Sequence, residues 1–238
     1  MPPRSFSALL LGFACLLLPH VVNAAAAETD PRLHADGKGW RLQKANRTDP
    51  MRPRVLLIGD SILNGYLKAT ISGLGERADV DAWVNPYHQA NADLERMVTE
   101  VLAQGPYDVI HFNLGLHGWQ PGRIPEGQFE PLTEKLVQTL RRQAPQARLI
   151  WAASTPVTVK GNPLQLDPTI DPIIVAHNQM AAEVMRRNQI PIIDFYGLLV
   201  SRLEWARGDQ FHWKAPAYDL LATHVVNSVG AFLPPRSR

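Results

Sequence analysis

Short apolar runs alternate with longer segments of helical periodicity through most of this chain. In the segment 92–103, for example, leucine, methionine and valine recur every three or four residues, which is typical of a helix with one buried face. Such alternation predicts an α/β fold in which helices cover both faces of a parallel sheet. The predicted strands are 54–59, 80–84, 107–114, 148–153 and 190–195, and the predicted helices are 62–74, 92–103, 129–143, 173–188 and 217–229.

Length and charge restrict the class of protein. The chain has 238 residues, enough for one domain with a sizeable core. Its formal net charge is +2, and the sequence contains no block of like charges. This balance argues against a nucleic-acid partner, because such partners require a strongly basic surface.

The first 27 residues have the parts of a secretory signal peptide. Arg4 gives a basic start, 8–18 is an apolar run too short to span a membrane, and small residues follow at 23–27. We predict a signal peptide over 1–27, cleaved between 24 and 27. The protein would then be periplasmic or secreted, without stable membrane insertion. The alternative is an anchor that is not cleaved.

Cys15 is the single cysteine and lies inside the predicted signal peptide. A mature chain without a thiol excludes a cysteine enzyme, a thiolate metal site and a disulfide scaffold. Residues 28–53 are polar and show no clear period, so we predict an N-terminal extension there and a folded domain over 54–238.

Polar residues follow the predicted strands at one edge of the sheet. Ser61 comes directly after the strand 54–59, and Asn113 lies near the end of the strand 107–114. Carboxyl ends of parallel strands form the ligand-binding edge of such sheets. A serine there suits a nucleophile beside the free N–H groups of the next helix, but it also suits a simple helix cap. Asn113 suits either an oxyanion donor or a turn.

A possible base for this serine lies about 150 residues further along the chain. His212 is suited to proton transfer near neutral pH, and Asp209 precedes it by three residues. At that spacing a carboxylate could accept the Nδ1 proton and hold Nε2 toward the serine. An isolated pair of this kind is also common by chance.

Taken in order, these motifs resemble the sequence blocks of the SGNH/GDSL hydrolases. The resemblance spans about 55–229. It implies a flavodoxin-like three-layer α/β/α sandwich with a central parallel five-stranded sheet, and a serine esterase activity that needs no cofactor. The motifs that carry it are Gly59-Asp60-Ser61, Asn113 and Asp209-x-x-His212.

The resemblance also implies a role for each of these residues. Ser61 would be the nucleophile, His212 the base and Asp209 the group that orients the base. The oxyanion hole would consist of the Ser61 N–H, the Asn113 side chain and a third N–H. The family takes this third donor from a glycine in its second block. Ala90 is the nearest residue to that place here.

Several side chains near these motifs are candidates for substrate contact. His117, Trp119 and Trp213 follow or adjoin the motifs, and aromatic rings beside a polar site can stack on sugars. Packing explains the aromatic residues equally well. His88 and His111 also lie near the edge, but we expect no metal site, since His111 falls within a predicted strand.

The sequence therefore predicts an exported esterase that cleaves short acyl groups, acetyl in particular, from carbohydrate through an acyl-enzyme. The expected partner is a small-molecule or carbohydrate ester. Alternatives are a lipid or thioester acyl hydrolase, an acyltransferase, and a non-catalytic carbohydrate-binding envelope protein on the same fold.

Overall fold

The computed structural model describes residues 41–235, and the predicted signal peptide lies outside them. The predicted α/β/α class is confirmed, with a central, mostly parallel sheet between two helical layers. The strands are β1 (Arg41–Gln43), β2 (Arg54–Gly59), β3 (Asp79–Val84), β4 (Val109–Phe112), β5 (Arg148–Ala152), β6 (Thr158–Val159), β7 (Asn162–Leu166) and β8 (Ile192–Ile193). The helices are α1 (Ser61–Leu74), α2 (Leu94–Leu102), α3 (Phe129–Gln143), α4 (Asp171–Arg187), α5 (Phe195–Leu199) and α6 (Ala215–Gly230).

The order of the strands places the ligand edge beside Ser61. The main sheet runs β1-β3-β2-β4-β5-β8, and all neighbours in it except β1 and β3 are parallel. The parallel part of the sheet starts at β2, and the chain adds β3 on one side of it and then β4 on the other. This reversal forms the crevice in which open parallel sheets bind ligands. Ser61 is the first residue after the turn that leaves β2.

Strand β2 is buried on both faces and divides the core in two. Val55 and Leu57 pack with residues of α1, α5 and α6, whereas Leu56 and Ile58 pack with residues of α2, α3 and α4. Side chains alternate between the two faces of a strand, so a continuous apolar run serves both layers. This double burial fixes the end of β2, and with it the position of the serine.

Four elements were not predicted: β1, β6, β7 and α5. Strand β1 pairs antiparallel with β3, so part of the predicted extension forms the sheet edge. The loop expected over 156–172 contains the hairpin β6–β7. Helix α5 begins inside the last predicted strand, because the Asp194 carboxylate accepts the Gly197 N–H (2.9 Å) and caps a helix there.

Within residues 41–235, no helix combines the length and the apolar character needed to cross a membrane.

Candidate active site

Strand β2 and helix α1 together determine the environment of Ser61. The buried strand ends at Gly59, where an added Cβ would lie 2.7 Å from the Leu63 Cβ, so only glycine fits this tight turn. Asp60 then caps α1, its Oδ1 accepting the Ile62 N–H at 2.8 Å. Ser61 opens the helix, so its own N–H is among the first-turn donors that have no partner within the helix.

Ser61, His212 and Asp209 form a continuous hydrogen-bonded chain. The Ser61 Oγ lies 2.9 Å from the His212 Nε2. The His212 Nδ1 lies 3.0 Å from the Asp209 Oδ2. Asp209 Oδ1 also accepts the backbone N–H of His212 at 2.8 Å, which fixes the carboxylate against the imidazole. These are the contacts that a nucleophile, its base and an orienting acid require.

The loop that carries Asp209 and His212 has an unusual backbone. Gly208 and Gln210 both have φ of 87°, a left-handed conformation that is uncommon for glutamine. The hairpin stabilises this conformation. The Thr158 N–H donates to the Gln210 carbonyl (3.0 Å), and the Gly161 N–H donates to the Gly208 carbonyl (2.8 Å).

Asp60, the residue before Ser61, has a buried carboxyl that interacts with the charge of His212. Its Oδ2 has no hydrogen-bond partner, and burial raises its pKa from 3.8 to about 6, although the Ile62 N–H and the charge of His212 oppose the shift. A carboxylate this close to His212 stabilises the imidazolium that forms when the histidine accepts a proton.

Asn113 does not fit the oxyanion role expected of it. Its amide nitrogen donates to the carbonyls of Ala152 (2.8 Å) and Ala153 (3.0 Å), and the residue is buried. Both amide hydrogens are therefore used in joining the ends of β4 and β5, and neither is left for a substrate oxygen.

Ala90 is the third residue expected in the oxyanion hole. It lines a separate groove between α2 and α3, with residues such as Leu94 and Lys135. Its role as the third oxyanion donor stays a prediction.

A cavity of about 450 Å³ opens in front of the serine. Two of the three predicted substrate-contacting residues, His117 and Trp119, line it. Trp213 does not: it is 1% exposed and belongs to the core beside α1 and α6, so its indole is not available to substrate. Packing against the core explains this tryptophan.

His117 is neutral at physiological pH in this cavity. Burial, together with the charges of Arg123, His88 and His212, lowers its pKa from 6.5 to about 4. A neutral imidazole keeps one N–H donor and so can stabilise a negative oxygen without competing for a proton.

Sequence reasoning missed four residues of the cavity wall. Leu116, Gln120 and Arg123 come from the loop after β4, and Phe211 comes from between Asp209 and His212. The length of the loop 115–127 was a signal for function, but no local pattern singled out these positions. Across the described part of the chain, residues 41–235, no three histidine, cysteine or acidic side chains form a group suited to a metal ion.

Residues 57–220 match the sequence profile of GDSL-like lipases and acylhydrolases, a match that includes all three residues of the hydrogen-bonded chain. This chain belongs to the GDSL-like lipase/acylhydrolase family. The resemblance noted in the sequence is confirmed, and the protein is a carboxylic ester hydrolase. A comparison with curated protein sequences gave no match.

Solved structures of esterases share the fold of this GDSL hydrolase. An aryl esterase from M. smegmatis aligns with a TM-score of 0.63 at 14% identity, over 76% of this chain and 100% of that one. The carbohydrate acetylesterase Est24 from Sinorhizobium meliloti aligns at 0.61 and 13%, over 76% and 99%. A lipase/acylhydrolase from Enterococcus faecalis aligns at 0.61 and 20%, over 78% and 100%.

Proposed function

We propose that this hydrolase is an exported serine esterase that removes short acyl groups, acetyl in particular, from carbohydrate. The observation that carries the proposal is the chain from Ser61 through His212 to Asp209, with Ser61 and His212 on the wall of a cavity. This arrangement is complete without a cofactor, since the serine, its base and the acid that orients the base all come from the protein.

The reaction begins with attack of the Ser61 Oγ on the ester carbonyl carbon. The His212 Nε2 takes the hydroxyl proton, while the Asp209 carboxylate keeps the Nδ1 proton in place and stabilises the imidazolium. The proton then passes to the leaving alcohol, which gives an acyl-enzyme. Water, deprotonated by the same Nε2, then attacks the acyl carbon; the bond to Ser61 Oγ breaks, the carboxylic acid is released, and the proton returns from Nε2 to Oγ.

The tetrahedral oxyanion requires donors other than Asn113. We assign the first to the Ser61 N–H at the start of α1, where the partial positive charge of the helix terminus assists. The second is the neutral imidazole of His117 on the cavity wall. Removing one such donor typically lowers kcat by about 100- to 1,000-fold.

Features of the cavity support a carbohydrate ester. The rings of Trp119 and Phe211 lie 6.1 Å apart and 30° from parallel, and both line the cavity. They offer an apolar surface to the face of a sugar. Gln120 and Arg123 supply polar groups on the same wall, where a long acyl chain would instead need apolar residues. The similarity to a carbohydrate acetylesterase fold is consistent with this choice.

The test is esterase activity with a matched serine control. We expect Ser61→Ala to lower hydrolysis of p-nitrophenyl acetate by roughly a thousand-fold or more, whereas Ser72→Ala, at the exposed end of the same helix, retains it. A fluorophosphonate should label Ser61, as measured by intact mass. Unchanged turnover by Ser61→Ala would refute the mechanism.

Acyl preference and transfer are measured in the same assay. We expect p-nitrophenyl acetate to be preferred over the octanoate, and hydrolysis to dominate over transfer to added sugar. A strong preference for octanoate, or for a thioester, would favour the lipid or thioester alternative.

Export is the remaining part of the proposal, and the sequence pattern at 1–27 supports it. Expression of the full chain in a Gram-negative host should yield periplasmic protein whose first residue lies just after 24–27. Recovery of the uncleaved chain in the membrane fraction would favour the anchor alternative.

A further inference from the structure

Arg123 lies on the wall of the Ser61 cavity without an acidic partner. Its Nη1 donates to the backbone carbonyl of His117 at 2.8 Å, and within residues 41–235 no carboxylate pairs with it. Other exposed arginines of this protein do pair, such as Arg187 with Glu130 at 2.8 Å. A guanidinium carries five N–H donors in a planar fork, so most of this fork remains open to a ligand.

The cavity wall around Arg123 carries no negative charge. None of the eight residues that line it within the described part of the chain is aspartate or glutamate. Burial is the main reason why the pKa values of His88 and His117 are lowered, and the positive charge of Arg123 is the second. The electrostatic field of Arg123 therefore reaches both imidazoles. Asp209, the carboxylate of the triad, is hydrogen-bonded to His212.

We infer that Arg123 binds a carboxylate carried by the sugar, so that the substrate is the acyl ester of a uronic acid or an acidic oligosaccharide. The inference rests on the proposed esterase function and names its substrate class. Trp119 and Phe211 contact the face of the ring, Ser61 attacks the acyl group, and Arg123 pairs with the charged substituent.

The chemistry of the pair favours a carboxylate over a neutral hydroxyl. Two N–H groups of a guanidinium match the two oxygens of a carboxylate, and hydrogen bonds between charged groups are about twice as strong as neutral ones. Arg123 is exposed, however, so water weakens the attraction. We therefore expect a preference of roughly 2- to 5-fold in kcat/KM, less than a buried pair would give.

The experiment compares two substrates that differ in the charged group. Mono-O-acetyl galacturonic acid and mono-O-acetyl galactose carry the same acetyl ester, and acetate release gives kcat/KM for each. The readout is the ratio of the two values for the native protein, Arg123→Gln, Arg123→Lys and the control Arg186→Gln. Arg186 is an exposed arginine in the last turn of α4.

We expect the native ratio and that of Arg186→Gln to favour the acid. Arg123→Gln should bring the ratio close to one, and Arg123→Lys should retain part of it because the charge remains. The preference should also fall as salt is added. A purely structural role of Arg123 would change both substrates in proportion and leave the ratio unaltered, which would overturn the inference.

Two further outcomes separate the possible failures. A larger Arg123-dependent preference for an acetylated, sulfated galactose would overturn the carboxylate assignment in favour of sulfate. Ser61-dependent turnover of p-nitrophenyl acetate with no acid preference would overturn the inference alone. Absence of Ser61-dependent turnover of every ester would overturn the proposed function as well.

Discussion

Asp60→Asn should remove a loss of folding stability that the buried, ionised Asp60 causes at neutral pH. Asp60 is 1% exposed, its Oδ2 has no partner, and burial raises its pKa from 3.8 to about 6. Asparagine retains an oxygen to accept the Ile62 N–H and is as good a helix cap as aspartate. The substitution therefore removes the charge while it leaves the start of α1 intact.

The magnitude follows from the pKa. A rise of about two units corresponds to about 3 kcal/mol, at 1.36 kcal/mol per unit. Because the folded state holds the Asp60 proton more tightly than the unfolded state, the free energy of unfolding falls as pH rises from about 4 through 6. Asp60→Asn does not titrate at this position and so lacks this pH-dependent loss of stability. Its stability relative to the native protein should thus increase by up to about 3 kcal/mol between pH 4 and pH 7.5.

The assay is urea unfolding of both proteins across this pH range. The difference between the two proteins must be used, because buried His111, with a pKa lowered to about 3, makes stability fall as pH drops below 6.5 in both. An unpartnered amide N–H in the variant adds a constant offset of about 1–3 kcal/mol, which does not alter the slope.

A matched variant, Asp167→Asn, should show the opposite change of relative stability with pH. Partial burial acts to raise the pKa of Asp167, but hydrogen bonds from the N–H groups of Ile170 and Thr169 and from Gln210 outweigh it, and the pKa is lowered. Asp167→Asn should therefore lose stability relative to the native protein as pH rises. If the difference for Asp60→Asn is constant with pH, the argument from burial is wrong. Asp60→Asn should also lower kcat, because His212 loses a nearby carboxylate.

Three substitutions test other parts of the structure. Gly208→Ala, at φ of 87°, should cost about 1–2 kcal/mol and lower kcat for p-nitrophenyl acetate about 10-fold, whereas Gly75→Ala, at φ of 54° after α1, should lower stability only. Asn113→Ala should lower the free energy of unfolding in urea by about 2–4 kcal/mol, because two hydrogen bonds are lost. The kcat of the folded protein should fall less than 10-fold. A fall of 100-fold or more would show that Asn113 is an oxyanion donor after all. In Gly65→Ala the new Cβ would lie 2.2 Å from the Tyr218 ring, so we expect a loss of about 1–3 kcal/mol in thermal unfolding, and a thermal midpoint equal to that of the native protein would contradict the packing argument.

The sequence predicted best the elements in which apolar residues follow a regular pattern. The strand 54–59 and the helix 129–143 were predicted at the bounds that the structure shows, because the strand has a continuous apolar run over 55–58 and the helix has a clear helical period. The strand 190–195 was wrong in extent, since only Ile192–Ile193 pairs with β5. Its end is set by the cap at Asp194, a side-chain contact that periodicity does not reveal.

Sequence reasoning also placed some residues of the candidate site correctly and others not. The resemblance to the family motifs assigned Ser61, Asp209 and His212 their roles, and the structure brings these three residues together. Asn113 and Trp213 lie at equally suggestive positions, yet both are buried: the Asn113 amide donates to backbone carbonyls, and the Trp213 ring packs in the core. Which way a side chain points at the end of a strand depends on the acceptors around it, and these come from distant parts of the chain.

The hairpin β6–β7 shows why the site needs more than the family motifs. Asp209 and His212 lie on a loop that adopts a left-handed backbone at two positions, so the loop sequence alone would not maintain its shape. Two backbone hydrogen bonds from 158 and 161 extend the hairpin onto this loop, and Gln210 Nε2 donates to Asp167 Oδ2 at 3.2 Å. The hairpin lies within the loop after β5, and from the sequence only the length of that loop was apparent. The distance of 2.9 Å between Ser61 and His212 therefore depends on α1 on one side and on this insertion on the other.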